Sequence, residues 1–106
     1  MIYEVREYTT VPGRLPALVR RFREHTLALF AEHGMTCTLI SLTELGENSN
    51  NELVYVMSFD SYDEMARKWA AFMADPHWQE VKRASEADGP IVERIRRRVL
   101  SPAAFG

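Results

Sequence analysis

The sequence predicts an α+β domain of ferredoxin-like type, βαββαβ, built on a four-stranded antiparallel sheet. Three observations carry that expectation. Apolar spacing alternates between strand-like and helix-like in the order β-α-β-β-α-(α)-β. Turn-forming residues fall at the switches: Pro12-Gly13, Gly34, Gly46, Asp75-Pro76 and Gly89-Pro90. The 106 residues leave room for one domain and no second.

Ile2 to Thr10 is β-rich and free of Gly and Pro, which makes a first strand; Val11-Pro12-Gly13 ends it. From Leu15 the spacing becomes helical, with Leu15, Leu18, Val19, Phe22, Leu29 and Phe30 on one face. Pro16 fits the first turn, where its missing N–H is no loss, and Gly34 suits the position just past the helix end. Met35 to Leu45 reads as a second strand, residues 46–51 as a polar hairpin loop, and Glu52 to Phe59 as a third strand. Ser61 and Glu64 have capping-box spacing. They open a helix that places Tyr62, Met65, Ala66, Trp69 and Met73 on one side. Asp75-Pro76 starts a shorter helix running to about Ala87, and Ile91 to Leu100 is the fourth strand.

Composition narrows the function classes. Thirteen Lys and Arg against fifteen Asp and Glu give a formal net charge of −2, unlike a generally basic nucleic-acid binder. No apolar run approaches the roughly 18 residues of a membrane span, and the charged opening MIYEVREYTT is unlike the apolar core of a signal peptide. Cys37 is the single cysteine, so no intrachain disulfide or CxxC motif exists. A reducing, cytoplasmic setting is expected.

The middle strands are apolar on both sides. Leu53, Tyr55, Met57 and Phe59 oppose Val54 and Val56, and Cys37, Leu39 and Leu45 oppose Ile40 and Leu42. In this topology both helices cover one face. The other face then needs a cover, either a second copy of the chain packing sheet to sheet or the C-terminal tail or short helix folding across. A homodimer is the expectation.

Glu4, Arg6 and Tyr8 alternate along the first strand and share a face. Arg6 can anchor a substrate carboxylate or phenolate with Tyr8 as donor, or it can pair structurally with Glu4. His25 lies near the buried stripe of the first helix and is the candidate general base of a cavity between helix and sheet. Thr26 either bonds back to the helix or faces a pocket. His25 and His33 stand eight residues apart, about 12 Å of helix rise, too far to share one metal, so no metal or cofactor site is expected. Trp69, Phe72, Met73 and Trp78 gather the surface of either a core or a flat apolar binding site. Arg94, Arg96 and Arg98 share a face of the last strand, with Arg97 opposite; without accompanying aromatics they suit a protected edge better than a nucleic acid.

Tyr3-Glu4-Val5-Arg6-Glu7-Tyr8-Thr9 with Val11-Pro12-Gly13-Arg14-Leu15-Pro16 resembles the opening strand and turn of the NIPSNAP family. Asp60-Ser61-Tyr62-Asp63-Glu64-Met65-Ala66, Ala74-Asp75-Pro76-His77-Trp78-Gln79 and the C-terminal Leu100 to Phe105 extend the resemblance over nearly the whole chain. It implies a dimeric α/β barrel, and puts Glu4, Arg6 and Tyr8 on the family's polar opening-strand positions. Tyr55 and Met57 stand where the family often shows His and Trp. Barrel relatives include cofactor-independent monooxygenases, isomerases and haem-degrading enzymes. The resemblance therefore implies a small-molecule pocket near Tyr8, His25, Tyr55, Trp69 and Trp78. Its occupant is an aromatic or polyketide-like molecule; a non-catalytic interaction module is the other reading.

Overall fold

The computed structural model describes residues 1–105. Its elements are β1 (Ile2–Thr10), α1 (Leu15–Arg21), a π-helical turn (Phe22–Thr26), α2 (Leu27–Glu32), β2 (Thr36–Leu42), β3 (Glu52–Phe59), α3 (Tyr62–Ala74), α4 (Pro76–Ser85) and β4 (Val92–Leu100). The strands form one antiparallel sheet in the order β2-β3-β1-β4. This is the expected ferredoxin-like architecture, with β1 in the centre. β2 ends three residues short of the expected Leu45, which stands exposed in the loop.

Pairing sets which side chains share a face. Ile2, Glu4, Arg6 and Tyr8 stand opposite Phe59, Met57, Tyr55 and Leu53, all toward the helices. On β3 those four are at most 2% exposed, so this layer is the core. Tyr3, Val5, Glu7 and Thr9 face the other way with Val54 and Val56. Arg94, Arg96 and Arg98 join that open face, paired with Thr9, Glu7 and Val5, while Arg97 lies beside Arg6 on the helix side. The expected division of the arginines is therefore found.

One register expectation fails. β2 is irregular between Cys37 and Leu39: Cys37 pairs with Met57, yet Leu39 pairs with Val56. The extra residue at Thr38 flips everything after it, as a bulge must. Cys37, Ile40 and Leu42 thus face the helix side and Leu39 the open side, not Cys37 and Leu39 together. The tail does not cover the open face: residues 101–105 are exposed, Phe105 almost entirely. Nor does α4, whose buried Trp78 and Val81 belong to the helix-side core.

The first helix is not uniform. Phe22–Thr26 is a π-turn, with the Leu27 amide donating five residues back to the Phe22 carbonyl. Thr26 Oγ1 donates to the Arg21 carbonyl at 3.3 Å, also five residues back. A wider turn advances less per residue, so His25 is carried off the core side and Thr26 onto it. His25 is exposed and Thr26 is 2% exposed. The helix closes as expected at Gly34 (φ 67°): the Met35 amide donates to the Phe30 carbonyl and the Gly34 amide to Ala31. This pair of bonds satisfies carbonyls the helix leaves open.

α3 begins at Ser61, whose Oγ accepts from the Glu64 amide at 3.1 Å. Its buried side is not the expected one. Phe72 is 2% exposed and Met65 and Trp69 are half-buried, whereas Tyr62 and Met73 are largely exposed and Ala66 is on the surface. Phe72 sets the phase, its ring lying 5.0 Å from Phe30 and 4.9 Å from Trp78. A fully buried aromatic outweighs several marginal apolar contacts on the other side. Asp75 closes α3 and caps α4, its Oδ1 accepting the His77 amide at 2.8 Å and its Oδ2 bonded to His33 Nε2 at 2.8 Å.

Candidate functional site

Between the helices and the sheet lies a cavity of about 380 Å³. Its apolar walls come from Phe22 and Phe30 of the first helix, Trp69, Phe72 and Met73 of α3, and Trp78 of α4. Arg6, Tyr8 and Tyr55 bring polar groups from the central strands, and Arg21 and Thr26 from the helix. A concave apolar site with few convergent polar groups has the character of a small-molecule pocket.

Behind the cavity stands Glu4, which is fully buried. One carboxylate oxygen accepts from Arg6 Nη1 at 3.0 Å and Arg97 Nε at 2.6 Å, and the other from Trp69 Nε1 at 2.6 Å. A buried carboxylate persists only when paired and hydrogen-bonded, and here both oxygens are engaged. Glu4 does not border the cavity; its oxygens are turned to these three donors.

Arg6 is equally committed. Besides Glu4, its Nε and Nη2 donate to Tyr8 Oη at 3.3 and 3.1 Å, and its guanidinium lies 4.4 Å from the Trp69 ring centre. Burial opposes its charge, yet Tyr55, Tyr8 and Glu4 together hold the proton more firmly than in an ordinary arginine. Arg6 is thus ion-paired, as its structural reading expects, and it also borders the cavity.

Tyr8 Oη and Tyr55 Oη are 2.8 Å apart. Their rings, with those of Phe22 and Phe30, form a continuous cluster of edge and tilted contacts at 5.1–6.3 Å. Burial first, then Tyr8, pushes the Tyr55 phenol well above its ordinary value of 10.0, against the pull of Arg6. Tyr55 is therefore a neutral donor at physiological pH.

Arg21 was not singled out by the sequence reading, although its spacing from Leu18, beside Phe22, sets a cation on the apolar stripe. It is 5% exposed, and the Trp78 ring centre lies 5.4 Å from its guanidinium carbon. Its one hydrogen bond among the described residues goes from Nη1 to Ser85 Oγ at 3.3 Å, and its Nε is buried with no acceptor. Burial weakens its hold on the proton, only partly offset by Glu86, Tyr8 and Tyr55. An arginine nevertheless stays charged.

Of the seven residues singled out from sequence, Arg6, Tyr8, Tyr55, Trp69 and Trp78 border the cavity; Glu4 and His25 do not. His25 borders a separate groove between α1 and α4 with His77 and Asp88, because the π-turn rotates it outward. Among the described residues no histidine lines the cavity. Thr26 meets both of its expectations, bonding back to the helix and facing the cavity. No group of three or more His, Cys, Asp or Glu among the described residues is arranged to hold a metal ion. No helix among them is long and apolar enough to cross a membrane.

The fold and cavity define a ferredoxin-like α+β domain with a helix-side aromatic pocket. Comparison with known proteins narrows the class. The chain belongs to the NIPSNAP family, whose sequence profile matches residues 3–106. It is similar to the Agrobacterium tumefaciens protein atu4242, a NIPSNAP family protein with unknown function. That crystal structure is 27% identical over 100% of this chain and 91% of its own, with a TM-score of 0.86. A NIPSNAP domain protein from Burkholderia xenovorans is 23% identical over 100% and 98%, with a TM-score of 0.84. SnoaB, a cofactor-independent oxygenase from Streptomyces nogalater, shares the fold at 16% identity over 96% and 92%, with a TM-score of 0.62. No curated protein matches the chain.

Proposed function

We propose that the chain is a small-molecule-binding protein that holds an aromatic ligand between its helices and sheet and works as a homodimer. The cavity carries the first part: about 380 Å³ walled by six aromatic and apolar side chains from three helices, with arginine and tyrosine groups converging from the strands. Arg6 is held by Glu4 and the Trp69 ring, and Tyr8 by Arg6 and Tyr55, which preorganises the polar end before any ligand arrives. The open sheet face supports the second part. Val54, Val56 and Leu39 lie there, with Leu39 52% and Leu100 44% exposed, and no described element covers them.

Calorimetric titration with a panel of planar aromatic compounds tests the pocket, with sedimentation equilibrium run on the same samples. Saturable binding at one molecule per chain is expected, abolished by filling the cavity with Thr26→Trp. A panel with no saturable member would refute the binding reading. A monomer at micromolar concentration would refute the dimer.

A second reading, a cofactor-independent oxygenase acting on an aromatic or polyketide-like substrate, draws on the Tyr8–Tyr55 pair as donors to a phenolic oxygen. Such chemistry needs a substrate that forms its own carbanion and a base to start it. The carboxylates bordering the cavity are Glu86 and Glu93, and His25 stands outside. Binding without oxygen uptake is expected; uptake measured with a bound naphthol would favour the oxygenase.

A further inference from the structure

We infer that the cavity takes an organic anion, a planar apolar molecule bearing one carboxylate or an equivalent enolate or phenolate oxygen, received by Arg21 and the Tyr8–Tyr55 pair. This rests on the cavity being a binding site and adds the charge of its occupant.

Buried donors are left over on the cavity wall. Arg21 carries five N–H donors, of which one has a partner, Ser85 Oγ. Among the described residues its Nε has no acceptor, and the residue is 5% exposed. A buried cation without a counter-ion is strongly disfavoured unless something supplies one. Glu86 shares the wall, but its carboxylate is held by Lys82 at 2.7 Å and is not in a salt bridge with Arg21.

The tyrosine pair leads to the same conclusion by proton counting. Two hydroxyls hold two protons, and the 2.8 Å bond between them uses one. Arg6 only donates, so it can accept neither. Whichever tyrosine donates to the other, one O–H proton has no protein acceptor among the described residues. Both tyrosines border the cavity. Arg6 is already satisfied by Glu4 and Tyr8, which leaves Arg21 as the cation for a ligand. The charged side chains on the helix-facing wall are Arg6, Arg21 and Lys82 against Glu86 and Glu93, an excess of one positive charge. An anionic oxygen completes these donors, a neutral ligand leaves Arg21 bare, and a cation is repelled.

The test compares 2-naphthoate with its neutral amide, 2-naphthamide, by titration calorimetry on the intact protein. The two share shape and apolar surface and differ in charge. Naphthoate is expected to bind at least about ten-fold tighter, the ratio a charge-assisted hydrogen bond supports. Arg21→Met should erase that preference, read as the ratio of the two affinities in the variant. Arg21→Lys keeps a charge without the planar fork, and should keep part of the preference. Equal affinity of the two probes for the wild-type protein would overturn the anion inference and leave the binding site standing. Binding of neither would overturn both. A preference that survives intact in Arg21→Met would overturn the role of Arg21, and circular dichroism shows whether each variant is folded. The wild-type comparison decides the matter even if a variant fails to fold.

Discussion

Glu4→Gln should weaken the whole molecule, and its size can be worked from the contacts. Glu4 is fully buried and answers Arg6, Arg97 and Trp69. Glutamine keeps the shape, and its carbonyl can still accept from Trp69. Its amide nitrogen then replaces the oxygen shared by the two guanidinium groups, setting donor against donor. Arg97 is half exposed and turns to water at little cost. Arg6 is 15% exposed and cannot. Removing one partner of a buried pair costs about 3–5 kcal/mol. The lower end applies, because Arg6 keeps Tyr8 and the Trp69 ring. About 3 kcal/mol in a domain of this size lowers the melting temperature by roughly 12–24 °C. Urea unfolding followed by circular dichroism measures it, and the Glu4→Gln/Arg6→Met double variant separates the pair from the packing. The double variant should recover stability relative to Glu4→Gln, because no buried charge is then left alone. A Glu4→Gln protein within about 1 kcal/mol of wild type would refute Glu4 as the counter-charge that holds Arg6.

Three further outcomes are expected. Gly34→Ala should cost about 1 kcal/mol in urea unfolding, because φ is 67° and a side chain there is strained even though only the flexible end of Lys68 lies near. The His33 hydrogen bond, with the His77 amide, holds the Asp75 carboxyl below its ordinary 3.8. That contribution is present above 3.8 and is lost as pH falls through the lower folded value, so Asp75→Asn should flatten the acid limb of stability against pH. Tyr55 is shifted the other way: its raised phenol stabilises the fold below pH 10, and the gain is lost as pH rises beyond it. Tyr55→Phe should make alkaline unfolding shallower and remove the latest step of the tyrosine absorbance titration.

What was legible in the sequence was local. Ser61 and Asp75 cap their helices and Gly34 closes one, because each acts on a backbone group a few residues away. β1 and β3 read correctly because alternation fixes a face once a strand exists. The misreadings involve phase. A single added residue at Thr38 moves Leu39 to the opposite face, and nothing in Thr-Cys-Thr-Leu announces it. Phe72 turns α3 through contacts with Phe30 and Trp78, which belong to other helices. The candidate site shows the same division. Arg6, Tyr8 and Tyr55 were found because strands place them together, whereas Arg21 needed the packing of α4 to be seen as buried.

The π-turn and the unpaired arginine belong to one arrangement. A regular helix closes each turn over four residues, and its side chains then repeat on a narrow stripe. Here five residues span Phe22 to Thr26, and the stripe is broken where the cavity lies. Arg21 immediately precedes that span, and its carbonyl is the acceptor of the Thr26 hydroxyl. The bond that stabilises the wide turn therefore fixes the backbone from which the Arg21 side chain reaches the cavity. The turn also sends His25 outward, exchanging a titratable base for a permanent cation at the pocket wall. A cavity with its charge fixed by arginine and its Tyr55 hydroxyl kept neutral by burial is suited to holding an anion across the physiological pH range. It is less suited to passing protons, which favours the binding reading over the oxygenase.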